Sequence, residues 1–418
     1  MFKSSFLIVL IQITGIILGL LTIYFVAGDM APEVYSLVGI YTIVSSVVLV
    51  FSNFAVETTM LREALYWKEQ GDEEKVIEYT TQTIVSKFLG FIILTPLIVG
   101  YLVFICFSKY NGDYLVILIC FYFGSCLNAL CDSLSLIVRA QGGYVFSQFA
   151  RTMNSDIMKF FAIIVYLKLG ATPYLLFYSL CSLPLLFLFL HRLRKSISTK
   201  YFNIRGTISK IKEAKFLFLR SYLDFGKSYA DSILVSILFS PAIMGSYTLL
   251  KNFENLIRNF EDGFFDVLSQ NQVRYKGDKQ ALTSTEKKIN YARVATLGLI
   301  IIGLVVFMQN PTFFINLVHL SQYESIVEIV YCVFGIAILY LLGKYETNTI
   351  ALFGTSKINF YIGIVGCVVS IVSFGWILIL HGIPGMIAQR ITVYFSVSAL
   401  CVYIFFRDRT KMYTSVLK

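Results

Sequence analysis

Residues 251–268, KNFENLIRNFEDGFFDVL, place six charged side chains inside an otherwise apolar chain. At 100° per residue Lys251, Asn252, Glu254, Asn255, Arg258, Asn259, Glu261, Asp262 and Asp266 share one side of a helix. Phe253, Leu256, Ile257, Phe260, Phe264, Val267 and Leu268 take the other, with Phe265 the exception. Asp224, Lys227 and Asp231 form a second polar stripe at i, i+3 and i+7, and Asp156 and Lys159 stand three residues apart further back. Ammonium, guanidinium and carboxylate groups on common faces can bind a polar ligand, and a carboxylate held in a low dielectric can exchange a proton. They can also merely neutralise one another, Lys251 with Glu254 and Arg258 with Glu261 and Asp262, leaving Asp266 near the cytoplasmic surface.

The elements that carry these stripes decide how much the charges matter. The chain has 418 residues, 57% of them hydrophobic and 14% charged, more apolar surface than a water-soluble core can use, so its solvent is a bilayer. Twelve runs are long enough to cross about 30 Å of hydrocarbon: 5–27, 34–60, 82–107, 114–138, 147–167, 172–190, 220–240, 243–268, 294–317, 325–343, 358–380 and 384–406. With both termini cytoplasmic, 28 of the 35 lysines and arginines fall on the inner side, two fall outside and five lie within helices. If 251–268 lay on the surface instead of crossing, the next six-cation loop would be stranded outside. Six lipid-facing ions would cost on the order of 15 kcal/mol at about 2.5–3.5 each. The stripes are therefore expected to face a shared hydrated cavity. Arg390 and Glu328 stand alone near the outer surface and read as snorkelling side chains, while Asp132 and Glu57 are left unassigned.

Spacing then divides the chain. Pro32 with Ser36 opens the second run and Pro241 with Gly245 the eighth; Gly142 and Gly170 lie 28 residues apart, as do Gly354 and Gly382. The expected fold class is an all-α polytopic membrane protein: two pseudo-symmetric six-helix lobes, 1–190 and 220–418, offset by about 210 residues. The basic stretch 191–219 is the linker, with a surface helix expected around 208–218.

Other motifs carry less. FGKS at 225–228 lacks the first glycine of a nucleotide-binding loop, which would be at Ser221. All eight cysteines sit in apolar runs without CxxC spacing, and His191, His319 and His381 have no ligand partner at helical spacing. Neither a metal, a cofactor nor a nucleic-acid partner is expected, so gradients or the membrane potential must drive any work.

AGDMAPEVYSLVGIYTIVSSVVLVFSNFAVETTMLREALYWKEQGDEEKV at 27–76 and RAQGGYVFSQFARTMNSDIMKFFAIIVYLKLGATPYLLFY at 139–178 resemble Wzx-type O-antigen and polysaccharide flippases. These belong to the multidrug/oligosaccharidyl-lipid/polysaccharide exporter superfamily. The resemblance implies two lobes around a central cavity lined by the first two helices of each. It also implies alternating access and an undecaprenyl-pyrophosphate-linked oligosaccharide carried from the inner to the outer leaflet of a bacterial cytoplasmic membrane. A polysaccharide polymerase and a chain-length regulator are the implied partners. On this reading Lys159, Lys227, Lys251 and Arg258 meet pyrophosphate or acidic sugars, and Glu254, Glu261, Asp262 and Asp266 accept from sugar hydroxyls. Asp224 and Asp231 are the candidates for coupling to H+ or Na+. Intramembrane acids outnumber the five intramembrane bases, so the sequence alone does not assign a cationic cavity. A drug/cation antiporter of the same superfamily is the alternative. A membrane glycan polymerase or ligase is disfavoured, because the longest outer loop, 308–324, holds one histidine, one acid and no Lys or Arg.

Overall fold

The computed structural model describes residues 13–15, 17–52, 63–64, 66–68, 70–140, 143, 146–147, 149–150, 158–213, 215–274, 279–353 and 356–414. Regular structure among them is helical. A π-helix, Ile23–Ala27, precedes α1 (Pro32–Phe51), α2 (Glu73–Lys109), α3 (Leu115–Ala140), α4 (Met158–Leu169), α5 (Ala171–Leu180) and α6 (Leu183–Leu193). A 3-10 turn, Thr199–Tyr201, leads to α7 (Ile204–Glu213), and then come α8 (Lys215–Leu238), α9 (Pro241–Arg274) and α10 (Lys279–Gln309). The chain ends with α11 (Pro311–Leu317), α12 (Ile326–Phe353), α13 (Ser356–Leu380) and α14 (Gly382–Thr414). Among the described residues eight spans are long and apolar enough to cross a membrane, and Ile13–Ala27 and Phe160–Leu169 are shorter apolar helices. The two charged helices α8 and α9 complete the set, so each of the twelve expected runs meets a helix. Large apolar side chains stay outside, Ile92 at 70% exposure and Ile379 at 71%, which suits hydrocarbon and not water.

Boundaries differ from expectation where local chemistry overrides hydropathy. Pro184 sits in the first turn of α6 and cannot donate a backbone N–H, so the run 172–190 breaks at residues 181–182 into α5 and α6. The run 294–317 stops at Gln309, because Asn310 accepts from the Phe313 amide at 3.1 Å and starts α11 at Pro311. At the other extreme α2 begins at Glu73, well before the apolar run. Asp72 caps it by accepting from the Lys75 amide at 3.1 Å, and Glu73 and Glu74 favour the positive end of its dipole. The linker helix spans Ile204–Glu213, earlier than the expected 208–218.

The chain forms two compact units. The first comprises Met1–Val26, Glu33–Phe225 and Ser232–Pro241; the second comprises Ala27–Pro32, Gly226–Asp231 and Ala242–Lys418. The linker lies in the first unit, and α8 is shared, its residues 226–231 packing with the second. In the first unit α3 packs on α2, α5 and α6, and α7 packs on α2. A Cβ at Gly124 would come within 2.1 Å of the Ser179 carbonyl oxygen, so the α3–α5 approach needs a glycine.

In the second unit α14 packs against α12 and α13, and α10 against α12. Ile289, Leu341, Tyr345, Ile350, Cys401, Ile404 and Phe405 are buried together. The short segment 27–32 is tied into this unit by a side-chain amide. Gln322 Nε2 donates toward the carbonyls of Ala27, Gly28 and Met30 at 3.1, 3.2 and 3.0 Å, and Tyr323 donates to Ala27 at 2.9 Å. These bonds supply partners for carbonyls that the end of the π-helix leaves without helical ones.

Candidate functional site

Helix α9 carries Tyr247, Lys251, Glu254 and Arg258 at i, i+4, i+7 and i+11, which places them along one face. That face meets Asp231 of α8 and Arg390 of α14 inside the second unit. Arg390 is 2% exposed, Asp231 0% and Glu254 1%, so three full charges are withdrawn from solvent. Burial on that scale is tolerable only if the charges are paired and hydrogen-bonded. The Arg390 guanidinium is forked on Glu254, donating through Nε at 3.0 Å to Oε2 and through Nη2 to Oε1, while Nη1 donates to Asp231 at 2.9 Å. Tyr394 donates to Glu254 and Tyr247 to Asp231, each at 2.5 Å. Lys251 lies 3.6 Å from Asp231 and 3.8 Å from Glu254 and donates to the Ser228 carbonyl at 2.9 Å. Arg258, on the same stripe but a third exposed, touches Glu254 only at 3.9 Å. Two carboxylates are thus enclosed by three cations, and the surplus is positive.

Beside this network lies a cavity of about 140 Å³. Lys227 and Ser228 of α8, Arg258 of α9, Tyr340, Gly343, Lys344 and Thr347 of α12, and Arg390, Val393, Tyr394, Val397 and Ser398 of α14 line it. Four of those residues are cationic and none is a carboxylate. The acids of the network hold Arg390, and the described lining residues are cations and hydroxyls with two valines and a glycine. Tyr340 accepts from Lys344 Nζ at 3.2 Å, and its ring lies 5.8 Å from the Arg258 guanidinium. The rings of Tyr340 and Tyr394 meet edge to face with centroids 6.1 Å apart. A Cβ on Gly343 would come within 2.7 Å of the Ser398 side chain, so glycine is what lets α12 and α14 close on each other here. Voids of this size admit a molecule about as large as benzene. The cavity therefore suits a compact polyatomic anion better than an extended saccharide.

No protein-family model matches the sequence, and no curated protein does so either. Solved structures do match over nearly the whole chain. An inward-facing multidrug resistance MATE family transporter of the MOP superfamily aligns with a TM-score of 0.65 at 12% identity, covering 99% of this chain and 98% of that one. The lipid II flippase MurJ, in an inward closed conformation, aligns with a TM-score of 0.66 at 15% identity over 98% and 90%. A MOP superfamily transporter from Pyrococcus furiosus Vc1, described as having a binding pocket of reverse polarity that suggests a different function, aligns at 0.54 and 11% identity over 100% and 95%. The chain has the MOP transporter fold. It is a multi-pass membrane protein.

Within that fold the expected site residues divide. Lys227, Asp231, Lys251, Glu254 and Arg258 are brought into one network and its adjoining cavity. Lys227 lines the cavity, whereas Asp231 turns to Arg390, Lys251 and Tyr247. The side chains of Lys159, Asp224, Glu261, Asp262 and Asp266 lie outside the described part, as do Glu57 and Asp156 altogether. Arg390 corrects the sequence reading: it does not snorkel but forms the centre of the network, since Asp231 and Glu254 offer it more than the interface would. Glu328 is exposed in the first turn of α12. Tyr247, Tyr340, Lys344 and Tyr394 were not singled out from the sequence. The available signals were the i, i+4 spacings of Tyr340 with Lys344 and of Arg390 with Tyr394 on apolar helices.

Proposed function

We propose that this chain is a non-enzymatic transporter. Its cargo is an undecaprenyl-pyrophosphate-linked oligosaccharide, such as an O-antigen or other surface polysaccharide repeat, moved from the inner to the outer leaflet of a bacterial cytoplasmic membrane by alternating access. The observation that carries this reading is the sign of the cavity, whose described lining residues include Lys227, Arg258, Lys344 and Arg390 and no carboxylate. A doubly linked phosphate needs several charge-assisted donors converging on a small volume, and guanidinium forks supply that geometry. One fold neighbour is a lipid II flippase, and another is set apart by the polarity of its pocket, which supports using polarity as the guide.

In this reading Lys227, Arg258, Lys344 and Arg390 hold the pyrophosphate. Lys251 and Glu254 position Arg390 and Arg258, and Lys159, Glu261, Asp262 and Asp266 belong to the saccharide path. Coupling to H+ or Na+ acts through Asp224 and Asp231: an ion that neutralises Asp231 loosens its hold on the Arg390 guanidinium and so alters the cavity. The antiporter alternative draws on the MATE neighbour and on these same buried acids. A cationic drug, however, would have to displace Arg390 and Lys251 before it reached either carboxylate.

Binding to the purified protein separates the two. Undecaprenyl pyrophosphate should raise the melting temperature of the detergent-solubilised chain, with an effect that weakens as salt is added, while undecaprenol and tetraphenylphosphonium should not. Stabilisation by tetraphenylphosphonium with none by the pyrophosphate would favour the antiporter.

A further inference from the structure

The linker between α6 and α8 plays no part in the cavity, yet it is built. Seven lysines and arginines and no acid occur between residues 192 and 212. The turn before α7 is fixed to α2: Lys200 Nζ donates to Glu74 at 2.8 Å, Tyr201 also donates to Glu74, and the Ser198 amide donates to Thr81 Oγ1 at 3.2 Å. Packing of α7 on α2 turns Thr207 wholly inward. What remains outside is a mixed face. Phe202 is 59% exposed, Ile204 43% and Ile208 44%, and Arg205 and Lys212 are exposed beside them. At 100° per residue Ile204, Ile208, Lys212 and Arg205 follow one another within about 100° of arc, from Ile204 about 60° from Thr207 to Arg205 about 160° from it.

We propose that this face is a docking surface for anionic phospholipid head groups of the inner leaflet. The membrane-spanning helix that ends at Leu193 and the helix that begins at Lys215 tether the segment at both ends, so α7 stays close to the bilayer surface. The lysine and arginine distribution assigns it to the cytoplasmic side. An aliphatic edge flanked by cations is the arrangement by which a helix lies in the head-group region, its apolar residues at the acyl boundary and its charges on phosphates. Lys200 is committed to Glu74 and acts as tether, leaving Arg194, Lys195, Arg205 and Lys212 exposed toward the lipid. An acidic protein would match the charges but would leave Phe202, Ile204 and Ile208 in water, so lipid is the better occupant.

Two measurements on the full-length chain test this. Titration of the detergent-solubilised protein with phosphatidylglycerol or phosphatidylcholine, followed by native mass spectrometry, should show preferential binding of phosphatidylglycerol. Replacing both Arg205→Gln and Lys212→Gln should lower that affinity on the order of tenfold or more and leave phosphatidylcholine unchanged. In nanodiscs containing phosphatidylglycerol, Ile204→Cys and Ile208→Cys should be shielded from a membrane-impermeant maleimide that labels Ser209→Cys. Equal binding of the two lipids by the wild-type chain, or labelling at 204 and 208 as fast as at 209, would overturn the proposal. Binding of polyglutamate in preference to phosphatidylglycerol would do so too, by pointing to an acidic protein.

Discussion

Arg390→Met should destabilise the second unit by about 3–5 kcal/mol, because it removes the cation that hydrogen-bonds directly to both buried carboxylates. Arg390 donates to Asp231 and, through a fork, to Glu254, and all three side chains are at most 2% exposed. Lys251 and Arg258 reach those acids only at 3.6–3.9 Å and cannot restore the lost hydrogen bonds without moving. The cost comes from stranding charge, so removing the acids as well should recover most of it. Because the acids also pair the buried Lys251, the variant Arg390→Met, Lys251→Met, Asp231→Asn, Glu254→Gln should unfold in denaturant closer to wild type than Arg390→Met alone does. Equal stability of Arg390→Met and wild type would mean that the acids are hydrated and not held as described.

The second large effect concerns function without folding. Lys227, Arg258 and Lys344 line the cavity at half-buried positions, outside the Arg390 fork. Changing each to glutamine keeps a polar though shorter side chain and removes one charge-assisted donor, worth about 1.5–3 kcal/mol. Each change should therefore weaken pyrophosphate binding roughly 10- to 100-fold, with little change in unfolding midpoint. Lys251 serves as the contrast. It is directed at Ser228, Asp231 and Glu254, so Lys251→Gln should cost stability first and binding only as a consequence. A reversed ranking, with Lys251 dominant in binding and the three lining cations neutral, would move the anion site elsewhere.

How much of this could be read from the sequence follows from the range of each signal. The spans were legible because a bilayer demands long apolar runs, and the charged face of α9 because six ions in such a run have few places to go. The breaks at residues 181–182 and at Asn310 depended on one proline and one capping side chain, which a hydropathy window averages away. The residues that complete the site were hidden for a different reason. Arg390 is a single charge with no periodic companion, and its partners lie 136 and 159 positions earlier in the chain. Tyr247, Tyr340 and Tyr394 are three among 27 tyrosines; beyond a short spacing to a cation, the packing of α12 on α14 marks Tyr340 and Tyr394, and the bond to Asp231 marks Tyr247. The sign of the cavity was likewise beyond composition. Intramembrane acids outnumber bases along the chain, yet Asp231 and Glu254 turn to the Arg390 fork and leave cations at the lining.

Transbilayer movement of the lipid-linked cargo tests the flippase reading. Proteoliposomes holding the purified chain should be loaded with an undecaprenyl-pyrophosphate-linked oligosaccharide in one leaflet, and its arrival in the other followed with an impermeant glycan-modifying enzyme. Wild-type protein should accelerate this movement, the Lys227→Gln, Arg258→Gln and Lys344→Gln variants should lose most of the acceleration, and undecaprenol should not be moved. A wild-type chain that leaves the lipid-linked oligosaccharide in place while exporting a cationic drug against a pH or sodium gradient would contradict it.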